Sequence, residues 1–122
     1  MSETIEFLFD LCCPYSHIAA ARLHKTLGGF RRPFVYTPVP VDLVARASGN
    51  PPPPAGSPKA DYLREDCARL GAYYRVPLRW PETMPDTGPA MAALARMAPE
   101  ARPEACRLLF RALWLDGRDI GR

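Results

Sequence analysis

The sequence has no apolar run long enough to cross a bilayer, and its first residues, Met1-Ser2-Glu3-Thr4, carry no positive leader ahead of an apolar stretch. No secretory signal and no membrane span are expected, which points to the cytoplasm, where thiols stay reduced. Lysine is nearly missing. Of 16 basic residues 14 are arginine, the net charge is +3, and these charges gather into no stripe, so nucleic acid is not an expected partner. The four cysteines, Cys12, Cys13, Cys67 and Cys106, match no zinc spacing, and no metal site is expected. No glycine-rich loop opens a helix, since Gly28-Gly29 follows one, so a phosphate-binding loop is absent. No internal repeat is visible.

What is present fits one soluble domain: 122 residues, 48% apolar and 24% charged, with 15 prolines, well above the average share of about 5%. Thr4 to Leu11 is almost wholly apolar and predicts a central strand covered on both faces. Pro14 to Leu27 repeats Ala19, Ala20, Leu23 and Leu27 at helical spacing, with Gly28-Gly29 expected to supply a left-handed stop. Phe34 to Thr37 predicts a second strand, ended by Pro38 and Pro40. Strand, helix and strand of these lengths make a βαβ unit with parallel strands. Ser48 to Pro58 is expected to be a loop, stiffened by four consecutive prolines from Pro51. Ser57 then caps a helix with Pro58 at its first position and a Leu63, Cys67, Leu70, Tyr74 stripe. Two more helices are expected at Pro89–Ala98 and from about Pro103 to Asp116, the last with Cys106, Leu109, Phe110 and Leu113 inward and Gly117 as its stop.

The chemistry gathers at Cys13. It follows the first strand and opens the first helix in Cys13-Pro14-Tyr15-Ser16. Only a thiolate attacks, and a helix N-terminus favours negative charge. Pro14 fits the first helical position, where its missing N–H is not needed. The same motif also fits a buried, inert cysteine at a helix start. Cys67 and Cys106, on apolar helix faces, read as core residues. His17, in the first turn, is expected to be exposed, with its pKa lowered by the positive end of the helix dipole.

Phe9-Asp10-Leu11-Cys12-Cys13-Pro14-Tyr15-Ser16 resembles the Phe-Asp-x-x-Ser-Pro-Tyr-Ser segment of the 2-hydroxychromene-2-carboxylate isomerases, which with the kappa-class glutathione transferases form a DsbA-like branch of the thioredoxin fold. Gly49-Asn50-Pro51-Pro52 resembles their Gly-Asn-x-Pro-Pro loop, and Pro58 to Asp66, Val76-Pro77-Leu78 and Phe110 to Ile120 follow in the same order. The resemblance implies an α/β fold: a thioredoxin-like βαβ unit over 1–41, then a loop and helical insertion over 42–122. No strand pattern corresponds to that family's C-terminal ββα half, so the chain is expected to be a single, truncated domain over 1–122. An open sheet edge and exposed apolar surface are then expected, with a tendency to aggregate or dimerise.

The resemblance also implies an activity. In those isomerases the residue at position 13 is a serine whose hydroxyl keeps the glutathione sulfur as thiolate, which adds reversibly to a bicyclic aromatic-degradation intermediate. Glutathione is the implied cofactor and a small aromatic carboxylate the implied substrate. Asn50 and Lys59 match positions that meet glutathione and substrate, and a lysine there suits their negative charge. Tyr15 and Ser16 complete the implied glutathione and substrate pocket, or serve only packing and first-turn roles. The Pro-rich loop over 48–58 either folds over that pocket or is a plain surface linker. Asp119 is implied to support the site from behind, or is a helix-end charge. Cys13 in place of serine opens a second reading: thiol–disulfide exchange or kappa-type transferase chemistry at Cys13, without a resolving cysteine at position 16. A third reading is a non-catalytic fragment. A homodimer is compatible with the family, whose members are commonly dimers.

Overall fold

Alternating side chains set the two faces of the first strand. Ile5–Phe9 (β1) turns Phe7 and Phe9 to one side and Glu6 and Leu8 to the other. The computed structural model describes residues 3–30 and 32–121. Among them β1 pairs in parallel with one other strand, Phe34–Pro38 (β2), in a register that sets Phe7 opposite Tyr36. The rings of Phe7, Phe9 and Tyr36 lie with centroids 5.2, 5.7 and 6.1 Å apart. This aromatic face is the sheet's contribution to the core. The opposite face is open, with Leu8 58% exposed, so β1 is not doubly covered as its apolar composition suggested. Each strand also keeps one edge without a partner among the described residues.

The crossover helix α1 spans Pro14–Leu27, with Pro14 in its first turn as expected. Its C-terminus corrects the sequence reading. Gly28 has φ −62, still right-handed, and the chain leaves through a short 3₁₀ turn, Gly28–Phe30, with no left-handed glycine. The left-handed stop belongs instead to a helix that the sequence reading passed over. Val41–Ala47 (α2) follows Pro40, and Gly49 at φ +80 lets the Asn50 amide reach back to the Ala45 carbonyl at 2.8 Å.

Pro58–Tyr74 (α3) starts where Ser57 and Pro58 placed it, with Ser57 Oγ accepting from the Ala60 amide at 3.3 Å. Cys67 and Gly71 are its buried residues, whereas Tyr74 is 38% exposed beneath the Arg22 guanidinium. Gly71 is required by a close approach: a Cβ there would sit 3.0 Å from the Val76 carbonyl.

Gly88–Arg96 (α4) and Arg102–Trp114 (α5) close the core on the aromatic face. Phe9, Leu11, Leu94, Cys106, Leu113 and Trp114 are at most 1% exposed. Trp114 is satisfied within this apolar cluster because its indole N–H donates to the Leu11 carbonyl at 2.8 Å. Arg102 ties the layers together. Its guanidinium donates to the carbonyls of Leu94, Ala95 and Met97 at the end of α4 and to that of Tyr36 in β2. Gly117, at φ +66, turns the chain after α5, and the Arg118 amide bonds back to Ala112 at 2.8 Å.

Candidate active site

β1 delivers the chain to a tight turn, Asp10 to Cys13, closed by the Cys13 amide donating to the Asp10 carbonyl at 3.0 Å. Cys13 is the N-cap of α1, in extended backbone (φ −95, ψ 116), and no side chain caps the helix. The first turn of α1 contains no acidic residue, so nothing in the helix competes for its positive end. Cys13 is half-buried and therefore within reach of a partner.

The residue that builds this turn is Asp10, 2% exposed. Its Oδ1 accepts from the Cys12 amide and the Cys12 thiol, both at 3.2 Å, and its Oδ2 accepts from the Val41 amide at 2.9 Å. Its own amide donates to Ser16 Oγ at 3.2 Å. One carboxylate thus joins the reactive turn to the start of α2, and Ser16 closes the loop from the other side. In the sequence Asp10 stands out only as part of the Phe9–Ser16 motif, because the Val41 amide that completes its role lies 31 positions away.

The same geometry separates the two adjacent cysteines. Burial, reinforced by the Asp10 carboxylate, pushes the Cys12 thiol up to about 12. Cys12 therefore stays a hydrogen-bond donor to Asp10, whereas Cys13 makes no such bond to it. Cys67 and Cys106 are fully buried and also raised by burial, Cys106 to about 12, which suits the core role read from the sequence.

Tyr15 connects the reactive turn to α3. Its hydroxyl donates to Asp66 Oδ2 at 2.7 Å, and burial, with the Asp66 and Cys67 contacts, raises its phenol. Asn50 and Lys59 are exposed, and neither side chain has a hydrogen bond or ion pair among the described residues. Asp119 accepts from the Gly121 amide at 2.9 Å, in the turn after α5.

A cleft of about 550 Å³ opens on the Cys12 side of the turn, walled by Asp10, Cys12, Leu43, Met84, Thr87 and Met91 among others. None of the five site positions read from the sequence lies on its wall. The sequence carries no signal for it, because its walls join the Asp10–Cys12 turn to the end of β2, α2, α4 and the approach to α4, which meet only in the fold.

His17 is not exposed as expected, while its pKa moves in the expected direction for a different reason. It is 5% exposed, its Nε2 lies 2.9 Å from the Pro77 carbonyl, and its ring stacks on Trp114 at 6.3 Å. Burial lowers its pKa below 6.5, with the Pro77 bond opposing. A group with a depressed folded-state pKa binds fewer protons folded than unfolded, so stability should fall as pH drops through the unfolded value near 6.5. Urea midpoints measured between pH values of about 7 and about 5 should decline, and His17→Phe should flatten that slope. An unchanged slope in the variant would assign the acid sensitivity to other groups.

A parallel βαβ unit, with a cysteine at the N-cap position of the crossover helix and helices added beyond the second strand, defines a thioredoxin-like protein with a helical insertion. A profile of the DSBA-like thioredoxin domain matches residues 4–122, and the chain belongs to that family. It is 27% identical over 124 residues to the 2-hydroxychromene-2-carboxylate isomerase of Sphingobium xenophagum, across 98% of this chain and 64% of that protein. A solved structure of a 2-hydroxychromene-2-carboxylate isomerase matches with a TM-score of 0.78 at 25% identity, across 95% of this chain and 58% of that one. The chain therefore spans less than two thirds of the length of either relative, and the fold expected from the sequence is the fold observed.

Proposed function

We propose that the chain carries the glutathione site of an isomerase of the 2-hydroxychromene-2-carboxylate type, acting in aromatic-compound degradation. The observation that carries this reading is Cys13 at the uncapped N-terminus of α1, where those isomerases place a serine. The site suits a sulfur anion. Neither a side-chain cap nor an acidic first-turn residue occupies the positive end of α1, and the half-buried Cys13 thiol is positioned to donate toward a second sulfur. Bound glutathione would supply the nucleophilic thiolate of the reaction. Tyr15 and Ser16 would shape its seat, while Asn50 and Lys59, exposed and unpaired, are available to its carboxylates and to that of the substrate. The apolar side chains of Leu43, Met84 and Met91 in the neighbouring cleft support a flat aromatic substrate.

A second reading rests on the thiol itself. With Cys12 locked to Asp10, Cys13 is free to attack a glutathione disulfide. Its sulfur forms the new bond, the old sulfur–sulfur bond breaks, and one glutathione leaves as thiolate. Cys13→Ser separates the two. Glutathione-dependent interconversion of 2-hydroxychromene-2-carboxylate and its ring-opened isomer should persist or rise, because a hydroxyl donates better than a thiol. Exchange with a glutathione disulfide should vanish. Loss of isomerisation together with exchange would make Cys13 the attacking group, and wild-type protein showing neither would leave a non-catalytic fragment.

A further inference from the structure

The two outer edges of the sheet are built differently. The Ile5 amide donates to the Pro33 carbonyl at 2.9 Å, and the Val39 amide donates to the Phe9 carbonyl at 2.8 Å. In this register the peptide groups of Ile5, Phe7 and Phe9 face β2, and those of Glu6 and Leu8 face outward. On β2 the outward residues are Phe34, Tyr36 and Pro38. That edge is closed, because Pro38 has no N–H and the Tyr36 carbonyl already accepts from Arg102 at 3.0 Å. The β1 edge has no such protection. Among the described residues nothing pairs with the outward amides and carbonyls of Glu6 and Leu8, and the edge ends at Asp10, whose amide is held by Ser16. Leu8, on the open face beside this edge, is 58% exposed. An edge with free backbone groups and an exposed apolar side chain is a template for another strand.

The surface area says how large a partner fits. A folded monomer of 13.6 kDa exposes about 6,600 Å². This chain exposes 8270 Å², a surplus of about 1,700 Å². A standard interface takes about 800 Å² from each partner, so the surplus is enough for one.

We propose that the β1 edge pairs with the β1 edge of a second copy, antiparallel, about a two-fold axis beside Phe7. Charge selects that register. An axis beside Glu6 sets each Glu6 against its own copy, and one beside Leu8 sets Glu6 against Asp10, whose amide is taken. An axis beside Phe7 sets each Glu6 against the partner's Leu8, and no like charges face each other. Glu6 and the partner's Leu8 then exchange both backbone bonds. The two-stranded sheet becomes a continuous one ordered β2, β1, β1, β2, and the two Cys13 turns lie at opposite ends of it. The pairing does not depend on the chemistry at Cys13.

The experiment is sedimentation equilibrium of the reduced full chain over a range of concentrations, with hydrogen exchange read at the Glu6 and Leu8 amides. A monomer–dimer equilibrium should appear, and both amides should become protected as the dimer forms. Leu8→Pro removes an outward N–H that the monomer does not use, and should weaken association at least about tenfold. Leu8→Glu sets like charges opposite one another and should weaken it about tenfold, whereas Leu8→Lys faces Glu6 and should stay within about threefold of wild type. A chain that stays monomeric at its solubility limit would overturn the proposal, as would a dimer that Leu8→Pro leaves intact. Equal losses in Leu8→Glu and Leu8→Lys would overturn the register.

Discussion

Replacing Trp114 with alanine should remove about 3–5 kcal/mol of stability. The indole is fully buried at the meeting point of α5, β1 and α1, against Trp80 at 5.2 Å and His17 at 6.3 Å. Its N–H is also the donor to the Leu11 carbonyl. Truncation would leave a large cavity and an unpaired carbonyl, two losses that add because neither can be repaired by collapse of neighbouring apolar groups. A domain of this size holds about 5–15 kcal/mol in total, so the variant should be close to unfolding. Urea unfolding followed by far-ultraviolet circular dichroism measures this directly. Trp114→Phe should recover part of the volume but not the hydrogen bond. A loss below about 1 kcal/mol for the alanine variant would mean that the core does not depend on this anchor.

The second large effect is expected at Asp10. Asp10→Ala removes the acceptor for the Cys12 amide, the Cys12 thiol and the Val41 amide together. Stability should fall by roughly 2–3 kcal/mol, since these bonds run to a charged group and the Cys12 contacts are partly buried. The chemical consequence is larger. With the turn no longer tied to α2, Cys13 loses its fixed position, and misplacement on the order of 1 Å can lower a rate about 100-fold. Isomerase or exchange activity at Cys13 should drop by about that factor. Cys12 should at the same time become easier to alkylate, because one of the causes holding its thiol protonated has gone. A purely structural role for Asp10 would leave the ratio of Cys12 to Cys13 labelling unchanged, and mass spectrometry of the alkylated peptides reads that ratio.

The parts of the fold that were legible in the sequence are those encoded locally. Ser57-Pro58 and Cys13-Pro14 announce helix starts through capping and proline chemistry, and both helices begin there. The inward faces of α5 and the burial of Cys67 follow from helical spacing alone. α2 is hard to read because Val41 to Ala47 is short, has no side-chain cap and buries none of its residues, leaving Leu43 and Val44 more than half exposed. His17 was misread because the helix dipole is a local effect, whereas its burial comes from Pro77 and Phe110, distant in sequence. β1 was judged by composition, which cannot say whether a second layer is at hand to cover Leu8. At the candidate site, Cys13 and its neighbours were readable as a motif. Asp10 and the cleft beside Cys12 were not, since each needs residues brought in by α2 or α4.

The contact between Trp114 and Leu11 joins positions 103 apart. During synthesis at roughly 5–20 residues per second, the strand carrying Phe9 and Leu11 waits on the order of ten seconds before its covering residues exist. In that interval the most apolar stretch of the chain is unburied, and α1 alone cannot shield it. α5 therefore acts as a timer as well as a layer. Premature termination within α5 would release a nascent chain with its strand still uncovered, a natural substrate for chaperones and proteases.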